Sequence, residues 1–492
     1  MRPFSIFNTL TRKVERFEPL NPPAVTLYSC GPTVYLPQHL GNMRAYLFVD
    51  TLKRALRFHG YDVRHVMNIT DVGHMTSDED AGEDKIEKTA RAEGKTPKEV
   101  AEFYIAQFKR DCSALNIELP PDAEPGDQVR RPQSVLCRAT DNIDAMIALI
   151  ERILAHGYAY VAASGVYFDV EKWRGSSRTG RLSRQSLDEQ HTGQRLEHSP
   201  DKQSPHDFAL WVLNQPGHLM QWESPWGRGY PGWHIECSAM SMKYLGETID
   251  IHTGGLDHIP IHHENEIAQS ESATEQPFVR YFVHNAFLVG MEGAKISKSA
   301  GKFPLVSDLV KEVIDPLAFR LFCFGAKYRS ELAFSPEAVR GAQKNLEYFW
   351  QFAYDLPADV ADAARDSDWA ADYASRFGDE LADDLNTPRA LAVALEMVHE
   401  AYSRKDRHIW RTLLRFDDVL GLQLGMRQYA AVLTRKTFPP QVQALINERQ
   451  VARAAKDFKH ADELRDKLVK LGYVVKDQPN GIQIVGRRVD ER

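Results

Sequence analysis

From Ala24 to about Leu115, short apolar runs alternate with longer stretches whose apolar positions recur every three or four residues. The runs Val25–Tyr28 and Val63–Asn68 predict buried strands, and Ala45–Phe58 and Lys98–Leu115 predict amphipathic helices. Strand, helix and strand in that order argue for a parallel sheet with crossover helices. The rhythm breaks over residues 119–135, which hold four prolines and three acids. The chain then reads as an inserted subdomain up to about Trp226. It offers a helix over Thr140–His156, a strand over Gly165–Val170 and a long polar, mobile loop over Gly175–Gln203. The α/β rhythm returns at Pro231–Tyr244, Thr248–Thr253 and Phe282–Val289, so one sheet split by an insertion is the simplest account. Beyond Phe303 the periodicity is helical, with helices expected over Leu309–Lys327, Pro336–Tyr354, Ala370–Phe377 and Thr387–Tyr402. A last helix near Gln441–Leu471 leads into a small strand-rich tail, Tyr473–Val485.

Length and composition narrow the class. A chain of 492 residues has room for three or four domains, and 43% hydrophobic with 26% charged residues is ordinary for a soluble globular protein. The start, Met1-Arg-Pro-Phe-Ser, has no apolar signal region, and no run of 18 apolar residues occurs. A cytoplasmic protein without membrane association is therefore expected. Five scattered cysteines (Cys30, Cys112, Cys137, Cys237 and Cys323) do not make a disulfide framework and are free to bind metal or fill core. A net charge of −7 excludes a globally basic nucleic-acid binder. The charge is uneven, however. Residues 431–492 carry 13 Lys/Arg against 8 Asp/Glu, whereas residues 351–400 carry 12 acids against 3 arginines. A basic terminal module beside an acidic neighbour can attract a polyanion locally; solvated helices with chance charge are the plainer alternative.

Two segments about 250 residues apart suggest nucleotide chemistry. Ser29-Cys30-Gly-Pro-Thr-Val-Tyr-Leu-Pro-Gln-His39-Leu-Gly41-Asn42 follows a predicted strand and opens a predicted helix. Free N–H groups and partial positive charge at a helix start make a seat for phosphate. Lys295-Ile-Ser-Lys298-Ser299 lies in a Gly- and Ala-rich loop, and its two lysines and two hydroxyls suit transient grip on a polyphosphate. Gly254-Gly255-Leu-Asp257 sits at a predicted strand end, where paired glycines admit a flat base and an Asp can accept ribose hydroxyls. Each alone reads equally well as a turn or a solvated charge; their joint occurrence points to ATP-dependent activation. Cys237 and His262-His263-Glu264-Asn265-Glu266 add a second theme. On a helix either 262 or 263 shares a face with 266. One of these histidines with Glu266, Cys237 and Cys30 is a set that tetrahedral Zn2+ accepts, with His234 a competing ligand. Spacing leaves these alternatives open, and buried free cysteines beside satisfied helix histidines are the commoner outcome.

As a set, Cys30-Gly-Pro-Thr-Val-Tyr35, His39-Leu-Gly-Asn42 and Lys295-Ile-Ser-Lys-Ser299 resemble the class I aminoacyl-tRNA synthetases, and within them the cysteinyl-tRNA synthetase family. The likeness runs over almost the whole chain. It includes Phe7-Asn-Thr-Leu-Thr-Arg12, Asn68-Ile-Thr-Asp71, Gly232-Trp-His-Ile-Glu-Cys-Ser238, Asp383-Asp-Leu-Asn-Thr-Pro388 and Lys456-Asp-Phe-x-x-Ala-Asp462. Two departures stand out. Asn42 occupies a signature position where class I enzymes generally have His, and Ile296 stands where Met is commoner.

The resemblance implies an α/β fold with a Rossmann-type parallel-sheet catalytic domain split by an insertion. An all-α anticodon-binding domain and a small C-terminal module would follow. The implied division is catalytic over 1–118 and 227–305, connective insertion over 119–226, helical junction over 306–340, anticodon-binding bundle over 341–430 and basic module over 431–492. The implied Zn2+ ligands are Cys30, Cys237, His262 and Glu266, one ion per chain. His39, Lys295 and Lys298 would be catalytic; His39, Gly41, Asn42, Gly254, Gly255, Asp257 and Lys298 would bind ATP, with Mg2+; and Cys30, Gly31, Thr70 and Trp233 would line the amino-acid site.

The implied task joins L-cysteine to ATP as an adenylate and passes the acyl group to tRNA(Cys), the enzyme acting as a monomer. In-line attack on the α-phosphate needs positioning and neutralisation of charge on departing pyrophosphate. Cysteine must also be separated from serine, and an apolar pocket separates near-isosteres by only roughly 10–200-fold. A Zn2+ that binds the substrate thiolate at about 2.3 Å changes that scale, so no proofreading site is needed, and the insertion looks too short for one. On the last predicted helix, Val451, Ala454, Ala455, Phe458 and Ala461 share one face, while Arg449, Arg453, Lys456, His460 and Lys467 share the other. That basic stripe could track tRNA phosphates, with Arg449, Arg453 and Lys456 as the named contacts. Two rivals remain: a ligase joining cysteine to an amino sugar, and a non-catalytic RNA- or zinc-binding paralogue. About 190 residues after the lysine loop count against the first, and the presence of His39, Lys295 and Lys298 counts against the second.

Overall fold

The computed structural model describes residues 2–73, 84–123, 129, 131–175, 180–184, 201–213, 215, 218–290, 304–356, 365–426, 440–455, 457–478 and 481–487. They fall into two compact units, one of residues 1–339 and 378–388, the other of residues 340–377 and 389–492.

Five strands build the central sheet of the first unit: β1 (Ala24–Ser29), β2 (Asp62–Ile69), β3 (Val135–Arg138), β4 (Ile249–Gly255) and β5 (Val279–Asn285). All neighbours are parallel, in the order β5-β4-β1-β2-β3. Such strands are covered on both faces and read as apolar runs rather than as an alternation. Val25, Leu27, Tyr28, Val66, Ile249 and Ile251 are accordingly buried. Helix α1 (Leu40–Phe58) crosses from β1 to β2, α2 (Trp233–Leu245) leads into β4, and α3 (His262–Thr274) crosses from β4 to β5. The chain leaves β1 toward β2 on one side and returns at β4 on the other. The ends of β1 and β4 therefore flank the point where strand order reverses, the place where open α/β sheets bind ligands.

Charge as well as apolar surface fixes α1. Asp50 is fully buried and pairs with Arg54 at 2.8 Å and Arg320 at 2.8 Å, with Lys53 beside them. Burial alone would raise the Asp50 carboxyl, but the three cations outweigh it and hold it below the usual range. Near the other terminus of the chain segment, Asp384 accepts from the Phe7 N–H and the Tyr328 hydroxyl and pairs with Arg329, which places the Asp383–Pro388 motif in the first unit.

The sequence expectations differ from this architecture in identifiable places. Strand β3 lies inside residues 119–226, so that segment supplies the edge of the central sheet before it forms a layer of its own. That layer is a four-stranded antiparallel sheet of Ala159–Ala162, Gly165–Phe168 and Phe208–Leu213, completed by Gly229–Pro231 from beyond the expected boundary at 226. Most of the polar loop over Gly175–Gln203 lies outside the described residues. The helix expected over Leu309–Lys327 is two helices, Val306–Lys311 and Pro316–Phe324. Between them Val313 has φ of 60°, and Asp315 precedes a proline that disfavours a continued helix.

In the second unit, Phe377 stacks on Phe416 at 4.0 Å between ring centres, and Trp350 donates to the Leu422 carbonyl. Phe416 belongs to a helix, Trp410–Leu420, absent from the sequence expectations. The last predicted helix is also two, Pro440–Ala454 and Phe458–Lys470, because Asp457 caps the second by accepting from the His460 N–H. The stripe drawn along one helix therefore does not exist. Val451 and Phe458, assigned to its apolar face, are 69% and 59% exposed. Arg449, assigned to its basic face, is fully buried and donates from Nε to the Ala461 carbonyl at 3.1 Å. Arg449 is thus a tie between two helices and is withdrawn as a tRNA contact.

Candidate active site and metal centre

The backbone just past β1 carries Cys30, and α2 carries Cys237 one turn from its start. The first turns of α3 carry His262 and Glu266. One donor atom from each of the four lies within 4.8 Å of the others. The two sulfurs are 4.0 Å apart, too far for a disulfide and close to the roughly 3.8 Å between two thiolates on one tetrahedral Zn2+. Glu266 Oε1 faces His262 Nε2 at 2.9 Å, yet this fully buried oxygen has no aligned hydrogen bond. An imidazole nitrogen and a carboxylate oxygen meeting at one point, with two sulfurs alongside, is how the ligands of one cation are arranged. The residues present fit Zn2+. A second grouping, Cys30, His252, His263 and Glu266, shares two members with the first. Only the first contains both thiols, the donors that most favour Zn2+.

The protonation pattern of this cage follows from its burial and its crowding. A hydrogen bond with Cys237, then burial, pushes the Cys30 thiol well above its ordinary value. The same bond from Cys30 leads the causes that lower Cys237 to about 7. Burial opposes charge on His262, but the attraction of Glu266 prevails and raises it to about 10. Burial likewise opposes ionised Glu266, and His252 and His262 outweigh it, holding the carboxyl below the usual range. Protons thus collect where a cation would bring positive charge.

Above the cage opens a cleft of about 480 Å³, lined by Cys30, Gly31, His39, Gly41, Asn42, Thr70, Trp233, Cys237, Gly254, Gly255, Asp257 and His262. Residues spread over more than 230 positions therefore meet at the ends of β1 and β4. His39 is the N-cap of α1, and its Nδ1 accepts from the Asn42 N–H at 3.1 Å, which leaves the neutral ring's proton on Nε2. Leu40 N–H donates to the Pro304 carbonyl, so the chain emerging after residue 303 is held at the start of α1. Lys295 and Lys298 lie outside the described residues, as does Lys456; Arg453 lies in the last turn of Pro440–Ala454.

Close packing explains the glycine at 31. A Cβ there would fall 1.6 Å from the Asn68 carbonyl oxygen, while Gly31 N–H donates to the Asn68 side chain at 2.9 Å. The Thr70 hydroxyl donates to Glu236 Oε2 at 2.9 Å, a fully buried carboxylate beside Cys237. The Trp233 ring lies 5.1 Å from that of His262.

Several neighbours were not anticipated. His252 Nε2 meets Glu266 Oε2 at 2.6 Å, and His263 Nδ1 meets His284 Nε2 at 2.8 Å, which in turn meets Thr9 through Nδ1. Burial depresses His258 to about 4 and His263 and His284 well below their ordinary values. His252 and His284 sit within predicted strands that are buried on both faces, where position in the run does not distinguish a core residue from one that faces the cage. Lys85 also lines the cleft, its Nζ 5.7 Å from the Trp233 ring centre.

Comparisons with known proteins bear on this geometry. Residues 16–344 match the family of tRNA synthetases class I (C) catalytic domain, residues 376–425 a DALR domain, and residues 435–484 the cysteinyl-tRNA ligase anticodon binding domain. The chain is similar to proteins named cysteine–tRNA ligase. That of Treponema denticola is 41% identical, covering 96% of this chain and 97% of the relative. Cysteine–tRNA ligase 1 of Burkholderia lata is 42% identical, covering 98% and 97%. Among solved structures, Mycobacterium tuberculosis methionyl-tRNA synthetase in complex with methionyl-adenylate has the same fold, with TM-score 0.54 and 16% identity over 81% of this chain and 88% of the other.

Proposed function

The chain belongs to the cysteine–tRNA ligases of the class I aminoacyl-tRNA synthetase family, and from that premise we propose that it joins L-cysteine to tRNA(Cys) through a cysteinyl-adenylate, at the expense of ATP. The observation that carries this reading is the meeting of two thiols, an imidazole and a carboxylate with a helix start and a Gly-Gly-x-Asp turn in one cleft.

The amino-acid end of the cleft is its thiol end. Cys30, Gly31, Thr70 and Trp233 enclose the substrate, and Thr70 is held in place through Glu236. Cys30, Cys237, His262 and Glu266 hold Zn2+, which when bound supplies a ligand position that a thiolate fills far better than a hydroxyl. At the other end His39 directs its Nε2–H, and the start of α1 its free N–H groups, toward ATP phosphates, with Gly41 and Asn42 allowing close approach. Gly254 and Gly255 admit the adenine and Asp257 accepts the ribose hydroxyls. Lys295 and Lys298, with Mg2+, neutralise the departing pyrophosphate.

The tRNA is bound by the helical bundle and the basic module, where Arg453 and Lys456 contact phosphates; the DALR and anticodon-domain matches support this division of labour. They also count against a ligase acting on an amino sugar. The enzyme works as a monomer in the cytoplasm, and among the described residues no helix is long and apolar enough to cross a membrane. The test is cysteine-dependent ATP–pyrophosphate exchange followed by charging of total tRNA. Metal-replete protein without exchange overturns the reading.

A further inference from the structure

Away from the thiol cage, three buried side chains converge on a second point. Asp84 is the N-cap of the helix Lys85–Glu93, Glu87 lies in its first turn, and His218 comes from the far side of the insertion. One donor atom from each lies within 4.8 Å of the others, and their exposures are only 4%, 4% and 7%. His218 Nδ1 faces Glu87 Oε1 at 3.0 Å and Asp84 Oδ2 at 3.2 Å. Asp84 Oδ1 also accepts from the Glu87 N–H, and Glu87 Oε1 from the Leu219 N–H.

One nitrogen can hand over one proton, but two carboxylates face it. The structure reflects that shortfall, because buried Asp84 Oδ2 has no hydrogen-bond donor among the described residues. Among the described residues the ion-pair partner that faces both buried carboxylates is the one imidazole, and burying charge without a partner is costly. Glycine at 73 is what lets the Asp84 carboxylate sit there, since a Cβ would lie 1.5 Å from Oδ2.

We propose that Asp84, Glu87 and His218 form a second divalent-cation site, distinct from the thiol cage. A cation satisfies Oδ2 and balances the charge in one step. The 3.0 and 3.2 Å separations match adjacent ligands at right angles on an ion with bonds of about 2.1–2.2 Å. One nitrogen and two carboxylate oxygens suit first-row ions such as Mn2+, Co2+ or Zn2+, and lack the thiolates that the first site offers. The ion ties the start of Lys85–Glu93 to residues 218–219. Lys85, the first residue of that helix, is thereby set against Trp233 at the cleft wall.

The test is titration of the full chain with Mn2+ after one equivalent of Zn2+ has been supplied, with free Mn2+ read by electron paramagnetic resonance. One bound equivalent is expected, and Cys237→Ser titrated with Mn2+ in the absence of Zn2+ should keep it, so that failure of the thiol site and failure of this one are read separately. His218→Ala and the volume-conserving Glu87→Gln should weaken binding by more than the roughly 10–100-fold that removing an outer partner costs. Circular dichroism and retained Zn2+ identify folded variants; should His218→Ala not fold, Glu87→Gln carries the test alone. Wild-type protein that leaves Mn2+ free, or folded variants that bind it as tightly as wild type, overturn the proposal.

Discussion

At the scale of single residues, the cage makes two predictions. Cys237→Ser keeps the shape of the side chain but removes a soft donor, so bound Zn2+ should be lost and the cysteine KM should rise at least about tenfold. Metal analysis with exchange kinetics checks this, and unchanged metal content would remove Cys237 from the ligand set. The second concerns protons. His262 keeps its proton up to about 10, and the Cys30 thiol titrates well above its ordinary value. Cation binding needs neutral imidazole and thiolates, so uptake near neutral pH should release at least one proton, and affinity should rise with pH and fall toward acid. A weakly buffered titration that releases no protons would contradict this. Chemistry and helix spacing narrow the cage to Cys30, Cys237, Glu266 and one of His234, His262 or His263; His262 is singled out only by the family resemblance. The imidazoles of His252 and His284 were not legible, since a histidine inside a strand carries no mark of what lies across the sheet.

Helix α1 joins structure to chemistry at the scale of an element. His39 is both its N-cap and a cleft residue. The two roles separate by substitution: His39→Asn retains a good capping side chain, whereas His39→Ala does not. Both should lower exchange by roughly 10²–10³-fold, but only the alanine should lose about 1 kcal/mol of stability in thermal melts. An asparagine variant as active as wild type would take His39 out of the reaction. Elements with one clear period were legible, as α1 and the strands β1, β2 and β4 illustrate. Boundaries set by a single residue were not. Asp457 caps a new helix and so turns Arg449 from an apparent surface cation into a buried tie. Strand β3 follows a proline-rich stretch and is only four residues long, too short for a period to declare itself.

For the whole molecule, the two units imply separable steps. Deleting residues 431–492 should weaken tRNA charging while sparing adenylate formation, and equal loss of both would make the tail a structural support. The change of period after Phe303 and the uneven charge are the sequence signals for the expected domain order. How the insertion shares a strand with the central sheet was not legible, because pairing between β2 and β3 is a non-local fact. What unifies the molecule is that its sheet brings two distant thiols to the base of the cleft. The most direct measurement is ATP–pyrophosphate exchange on metal-replete protein with cysteine and with serine as alternative substrates. Exchange with cysteine should exceed that with serine by far more than the roughly 10–200-fold available to an apolar pocket; comparable exchange with the two would contradict the account.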